Sequence, residues 1–185
     1  ELCALLAFSA IKNNDRVGLI IFTSEVEKFI PPKKGKKHVL RVIRELLYFK
    51  PKKKKTDINK AVDFLTQVQR KKAVVFFISD FLPMDFKSAF RVASRRYDMI
   101  AISLSDPREF EIPNVGLIEL RDPESGKIHL IDTTVKSFRE KFGRENEKRR
   151  LNLRTLFRSI DVDQIEVTTA TDYVEPLVRF FKKRE

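Results

Sequence analysis

The sequence predicts an α/β fold, a doubly wound, mostly parallel sheet with helices on both faces. Two segments carry that expectation. Ala73-Val74-Val75-Phe76-Phe77-Ile78 and Met99-Ile100-Ala101-Ile102-Ser103-Leu104 are apolar or nearly so without alternation, as strands covered on both faces are, and each runs into a Ser-Asp pair. Around them the apolar spacing switches to the helical period, so that strand and helix alternate along the chain.

Taken in order, Leu2, Leu5, Leu6, Ala7 and Ile11 recur at near-helical spacing until Asn13-Asn14-Asp15 breaks the pattern. No capping residue precedes this helix, so an N-terminal part of the protein is expected ahead of Glu1. Residues 17–22 read as a buried strand. Residues 26–30 read as its hairpin partner, ended by Pro31-Pro32, which cannot donate to a ladder. From Lys36 the residues Val39, Leu40, Val42, Ile43, Leu46 and Leu47 keep a helical stripe as far as Pro51. Thr56-Asp57 caps the next helix, whose inward stripe is Ile58, Ala61, Val62, Leu65 and Val68. The run at 73–78 is expected to be a central strand, followed by a helix over 85–96 and the strand at 99–104. Residues 115–131, broken by Asp122-Pro123-Glu124-Ser125-Gly126, read as a hairpin inserted near the sheet edge. A long charged helix over 134–159, a strand over 164–167 and a helix over 173–183 complete a single domain spanning 1–185.

The composition excludes several functions. Five glycines in 185 residues, no two closer than ten positions, permit neither a dinucleotide fingerprint nor a P-loop. One cysteine, Cys3, and two distant histidines, His38 and His129, permit no disulfide framework, zinc knuckle or paired-histidine metal site. A Ser-His-Asp triad would need one of those histidines, and neither lies by the strand ends where a site is expected, so no catalysis is predicted. The opening residues read as neither a signal peptide nor a membrane span and no apolar run reaches 18 residues, so a cytoplasmic location is expected for this stretch of chain, with a membrane anchor upstream as the alternative. The 38 Lys+Arg against 26 Asp+Glu give a net charge of +12. Lys33, Lys34, Lys36 and Lys37, then Lys52, Lys53, Lys54 and Lys55, are the densest runs. They read as a solvated face, as a phosphate-backbone contact or as a contact with an anionic membrane.

In open parallel sheets ligands gather beyond the carboxyl ends of the strands. The candidates there are Thr23 and Ser24, Thr56 and Asp57, Ser79 and Asp80, and Ser105 and Asp106. Their hydroxyls and carboxylates are hard oxygen donors suited to Mg²⁺, Mn²⁺ or Ca²⁺. Thr56-Asp57 reads equally as a helix cap, and Ser79-Asp80 and Asp106-Pro107 as turns.

The order of these segments resembles the von Willebrand factor A-like domain of domain-of-unknown-function family 58, a bacterial family encoded beside MoxR-type AAA+ ATPases. The resemblance rests on Asp15-Arg16-Val17-Gly18-Leu19-Ile20-Ile21-Phe22, on Thr56-Asp57-Ile58 with Ala61, and on Ile78-Ser79-Asp80-Phe81. It continues through Ser105-Asp106-Pro107-Arg108-Glu109 with Ile112-Pro113 and Gly116. It ends in Asp161-Val162-Asp163 and Thr171-Asp172-Tyr173-Val174. It implies a von Willebrand factor A/Rossmann-like sheet and a metal-ion-dependent adhesion site in which Thr56 supplies the threonine and Asp80 the aspartate. The Asp-x-Ser-x-Ser loop of that site is absent from the sequence and would lie just before residue 1. Mg²⁺ or a similar cation is therefore expected only with that loop, and no tightly bound cofactor with this chain alone. The resemblance further implies a protein-interaction module, with Thr23, Ser24, Asp57 and Ser79 at its binding edge. A MoxR-type ATPase or another acidic protein is the implied partner. Nucleic acid or an anionic membrane is the alternative ligand of the lysine runs.

Overall fold

A computed structural model describes residues 1–82, 85–121, 126–169 and 172–184, arranged as two compact units, Glu1–Arg70 and Lys71–Glu185. The expected turn at 122–125 and Thr171 lie outside the described residues.

The first unit holds α1 (Leu2–Lys12), β1 (Val17–Phe22), β2 (Val26–Lys33), α2 (Lys36–Leu47) and α3 (Ile58–Val68). Asn14, at φ 55, turns the chain from α1 towards β1, a conformation asparagine tolerates better than most residues. The two strands pair antiparallel, with Leu19 opposite Ile30 and Phe22 opposite Val26. Contrary to the sequence expectation, β2 does not stop at Pro31 but runs on to Lys33, which pairs with Val17. Between those pairs and Leu19 opposite Ile30, β2 carries one more residue than β1, and the prolines sit in that bulge, one of the few places in a sheet that tolerates them. Gly18 makes the bulge possible, since a Cβ there would stand 3.0 Å from both the Ile30 carbonyl oxygen and Pro32 Cγ. Ile30, Val39, Val42, Ile58, Ala61 and Val62 form the buried core of this unit, and Phe29 meets Phe64 edge to face at 5.3 Å.

The second unit holds β3 (Val74–Ser79), α4 (Lys87–Ser94), β4 (Asp98–Ser105), β5 (Leu117–Arg121), β6 (Ile128–Asp132), α5 (Lys136–Ser159), β7 (Asp163–Thr168) and α6 (Val174–Arg184). β3, β4 and β7 make a parallel sheet in that order, and the helical crossovers such pairing requires are present. The fold is thus mixed α/β with a parallel three-stranded sheet, while β1–β2 and β5–β6 are separate antiparallel pairs. The centre of the parallel sheet is β4, where Met99, Ile100, Ala101, Ile102 and Ser103 are all buried. β3, expected at the centre, is an edge strand of the three and Val74 is 56% exposed. Unalternating hydrophobicity reports covered faces, and it does not report how many edges are paired.

Against this sheet stands an aromatic cluster in which Phe81, Phe86, Phe90 and Phe157 are almost fully buried, with ring centroids 5.1 to 6.0 Å apart. Phe77 joins it at 4.9 Å from Phe90. α5 reaches the cluster through Phe157, and its middle is admitted against the chain at Phe110 because position 143 is glycine. A Cβ there would lie 2.8 Å from the Phe110 carbonyl oxygen.

Candidate functional site

In the first unit the residues singled out by sequence come together at one end of the β1–β2 pair. Thr23 and Ser24 form the turn between the strands, and the Asp57 amide donates to the Thr23 carbonyl at 2.9 Å. Asp57 caps α3 by accepting from the Lys60 amide at 3.1 Å. Its other oxygen faces the Lys60 ammonium at 3.6 Å, and that ammonium also donates to the Ser24 carbonyl at 3.1 Å. Thr56, half-buried directly ahead of the cap, has a hydroxyl with no hydrogen-bond partner among the described residues.

Glu27, which sequence reading passed over, organises this edge. It accepts from the Thr23 hydroxyl at 2.7 Å, from the Lys52 amide at 2.8 Å and from the Lys53 amide at 3.2 Å. The Thr23 hydroxyl, the two amides and the nearby Lys52 charge together hold the Glu27 carboxyl below its ordinary range, since each stabilises the ionised form. The lysine run is thereby fastened by its backbone. Lys52, Lys53, Lys54 and Lys55 are all exposed, and none makes a salt bridge among the described residues. The only sequence signal for this arrangement is a lone acid on a strand in a strongly basic stretch. Bonds to backbone amides 25 residues away leave no side-chain code.

In the second unit, Ser79 and Asp80 follow β3. The Ser79 hydroxyl oxygen accepts from the Phe81 amide at 3.1 Å, and an Asp80 oxygen accepts from the Leu82 amide at 3.2 Å. Phe81 adopts φ 51, which a bulky side chain rarely does. The strain, of order 1–3 kcal/mol, is held by the aromatic cluster that takes the Phe81 ring, and it leaves Asp80 exposed beyond the strand end. A small cleft of about 40 Å³ opens there, lined among others by Asp80, Ser103, Ser105, Glu109, Arg149 and Arg150. Its glutamates and arginines are paired. Arg154 holds Glu166 through two bonds of 3.0 and 2.8 Å, Arg149 meets Glu109 at 3.1 Å, and Arg150 meets Glu147 at 2.9 Å. Asp106, read as a turn or a ligand, is spent on a capping box with Glu109 and on the Thr169 hydroxyl at 2.9 Å. Its carboxyl is held low first by the Arg108 amide and then by Thr169.

Among the described residues, the donor set of neither unit fits a divalent cation. The first offers the Thr56 hydroxyl beside a carboxylate already committed to Lys60, and the second offers Asp80 with one oxygen committed to its own turn. Among the described residues no three His, Cys, Asp or Glu side chains group as metal ligands. Each histidine is placed within its own unit. His38 Nε2 bonds the Val17 carbonyl oxygen at 2.8 Å, at the opposite end of β1 from Thr23, and His129 pairs opposite Leu120 in the β5–β6 hairpin. No described helix is long and apolar enough to cross a membrane.

Among solved structures, the chain is similar to the conserved hypothetical protein BatB from Bacteroides thetaiotaomicron. The TM-score is 0.56 at 16% identity, over 96% of this chain and 82% of that one, a likeness of fold. Among curated proteins it is 26% identical over 184 residues to Uncharacterized protein Rv1480 of Mycobacterium tuberculosis and to Uncharacterized protein Mb1516 of Mycobacterium bovis. It is 29% identical over 129 residues to Uncharacterized protein MAV169 of Mycobacterium avium, covering 69% of this chain and 76% of that protein. The first two matches cover 98% of this chain and 58% of each relative, so the chain spans little more than half the length of those proteins. Residues 1–152 match the family described as Protein of unknown function DUF58, and the chain belongs to that family.

Proposed function

We propose that this chain is a non-enzymatic protein-interaction module whose binding edge is Thr23, Ser24, Thr56 and Asp57 together with the lysine loop at 52–55. Its ligand is an acidic segment of a protein partner. The observation that carries the reading is the Glu27 clamp. It fixes the loop through backbone amides and so leaves four lysine side chains presented without salt-bridge partners. A preorganised cationic loop of this kind gives affinity and orientation through charge rather than through apolar area. Resemblance to the von Willebrand factor A-like domain supports a MoxR-type AAA+ ATPase as the partner, in complex maturation or remodelling; that step is an analogy of family. By the same resemblance a metal-ligand role for Thr56, and one for Asp80, each depend on an Asp-x-Ser-x-Ser loop that supplies the remaining ligands. This chain alone holds Mg²⁺ no more tightly than exposed oxygens do.

The test is a fluorescence-anisotropy titration with a labelled poly-glutamate peptide at physiological salt. Replacing Lys52, Lys53, Lys54 and Lys55 by Ala is expected to weaken binding roughly 30-fold, taking about 0.5 kcal/mol per exposed charge pair, and chelator is expected to change nothing. Equal affinity of the two proteins would defeat the reading. A second reading, binding of nucleic acid or an anionic membrane, is favoured by one observation. Glu1–Arg70 holds 16 Lys+Arg against seven Asp+Glu, so about three-quarters of the net charge lies in the first unit.

A further inference from the structure

The β5–β6 hairpin presents features that the proposed binding edge does not use. Neither strand has a second partner among the described residues, and a lone two-stranded sheet is marginal in water. At its base the Thr133 amide donates to the Gly116 carbonyl at 2.9 Å. The same oxygen takes the Thr133 hydroxyl at 2.6 Å, with Thr133 fully buried. That bond sets the phase of the ladder. Hydrogen-bonded pairs alternate along an antiparallel pair, so Ile118 with Ile131 and Leu120 with His129 exchange the inward bonds. The amides and carbonyls of Leu117, Glu119 and Arg121 therefore point away from β6.

Side-chain alternation puts Leu117, Glu119 and Arg121 on one face with their cross-strand neighbours Asp132, Leu130 and Ile128. That face is open, with Leu117 67%, Leu130 68% and Ile128 54% exposed. Glu119 and Arg121 flank Leu120 symmetrically, so the edge carries a charge pattern complementary to itself.

We propose that β5 pairs with β5 of a second copy of this chain, antiparallel about a two-fold axis through Leu120. In that register Glu119 stands opposite Arg121 of the partner and Arg121 opposite its Glu119. Both pairs fall at the positions whose backbone groups point outward, so hydrogen bonds and charges are satisfied together. Shifting the two-fold axis by one residue either way sets Glu119 against Glu119 or Arg121 against Arg121. The product is a four-stranded sheet, β6-β5-β5-β6, which doubles the stripe of Leu117, Ile128 and Leu130. Five residues per strand make a contact smaller than a standard protein interface, so the dimer is weak, with Kd on the order of 100 µM.

Sedimentation equilibrium of the 185-residue chain from about 5 to about 500 µM measures this association. Self-association is expected across that range. Glu119→Arg or Arg121→Glu alone should weaken it at least tenfold, and the two together should restore it. A wild-type chain monomeric throughout, a single reversal without effect, or a double reversal that fails to restore pairing would each overturn the proposal. The charged edge would then be a guard against association. Amide hydrogen exchange on the wild-type chain gives a check independent of any variant's folding. Glu119 and Arg121 amides should slow with concentration while the Leu120 amide, already bonded to β6, stays unchanged; concentration-independent exchange at all three would equally sink the dimer.

Discussion

Glu27 shows how one side chain can set the shape of a surface built from others. Its carboxylate takes three donors, one hydroxyl and two backbone amides, and ionised carboxylates hold such donors about twice as strongly as neutral acceptors do. The clamp therefore titrates. The Thr23 hydroxyl, the largest cause, and the Lys52 and Lys53 amides place the folded Glu27 pKa below its unfolded value. The stability it contributes is therefore complete above the ordinary glutamate range, near 4.3, and is lost as pH falls through the depressed folded value. Asp106 and Asp132 are shifted the same way by their own hydrogen bonds, so acid weakens the whole chain. A comparison with Glu27→Gln isolates the clamp because the other carboxylates remain in both proteins. Urea unfolding at pH 7 and at about pH 3.5 should show the wild type losing more stability than Glu27→Gln. Equal losses would mean that Glu27 does not hold the loop through its charge.

Among the elements α5 is the one whose sequence misleads most. It is 24 residues long, highly charged, and carries a glycine in its interior, a residue that costs a helix about 1 kcal/mol relative to alanine. By propensity Gly143→Ala should stabilise the protein. The structure reverses that sign, because the new Cβ would meet the Phe110 carbonyl oxygen at 2.8 Å, a backbone atom that cannot turn aside. Gly143→Ala is expected to lower stability by about 1–2 kcal/mol. Asn152→Ala, at an exposed position of the same helix, should raise it by a few tenths. Thermal melts of the two variants check both signs, and a stabilised Gly143→Ala would mean that α5 does not approach Phe110 so closely. The same contrast separates what was legible in the sequence from what was not. Helical period and the Asp57 cap were readable because they are local, and α3 begins at Ile58 as the cap requires. The aromatic cluster was half readable. Phe77 lies in an apolar run, whereas Phe81 follows β3, Phe86 and Phe90 belong to the start and body of α4, and Phe157 comes from α5. Sheet order, the run of β2 through Pro31 and Pro32, and the Glu27 clamp were not readable, since each depends on what lies across a gap the sequence does not encode.

At the scale of the whole molecule the charge is what most constrains function, and its placement matters more than its total. The densest lysines of the first unit fall into two groups. One, at 52–55, is fastened to Glu27 near the start of β2; the other, Lys33, Lys34, Lys36 and Lys37, follows the far end of that strand. Six residues of extended chain separate Glu27 from Lys33, roughly 20 Å at about 3.3 Å per residue. That is more than two screening lengths at physiological salt, about 8 Å, and less than one at 0.01 M, about 30 Å. A short acidic peptide bound at 52–55 therefore does not feel the distant group at physiological salt, whereas a long polyanion that follows the surface touches both. Replacing Lys33, Lys34, Lys36 and Lys37 by Ala should leave affinity for a poly-glutamate hexamer unchanged at about 0.15 M salt and slow its association only near 0.01 M. For a labelled oligonucleotide of about 20 nucleotides the same replacement should weaken binding at both salts, because backbone contacts release counterions wherever they form. Anisotropy and stopped-flow titrations at the two salts separate the readings. If the distant lysines govern peptide affinity at physiological salt, the protein-interaction edge at 52–55 is not the principal site, and the basic surface acts as one continuous polyanion track.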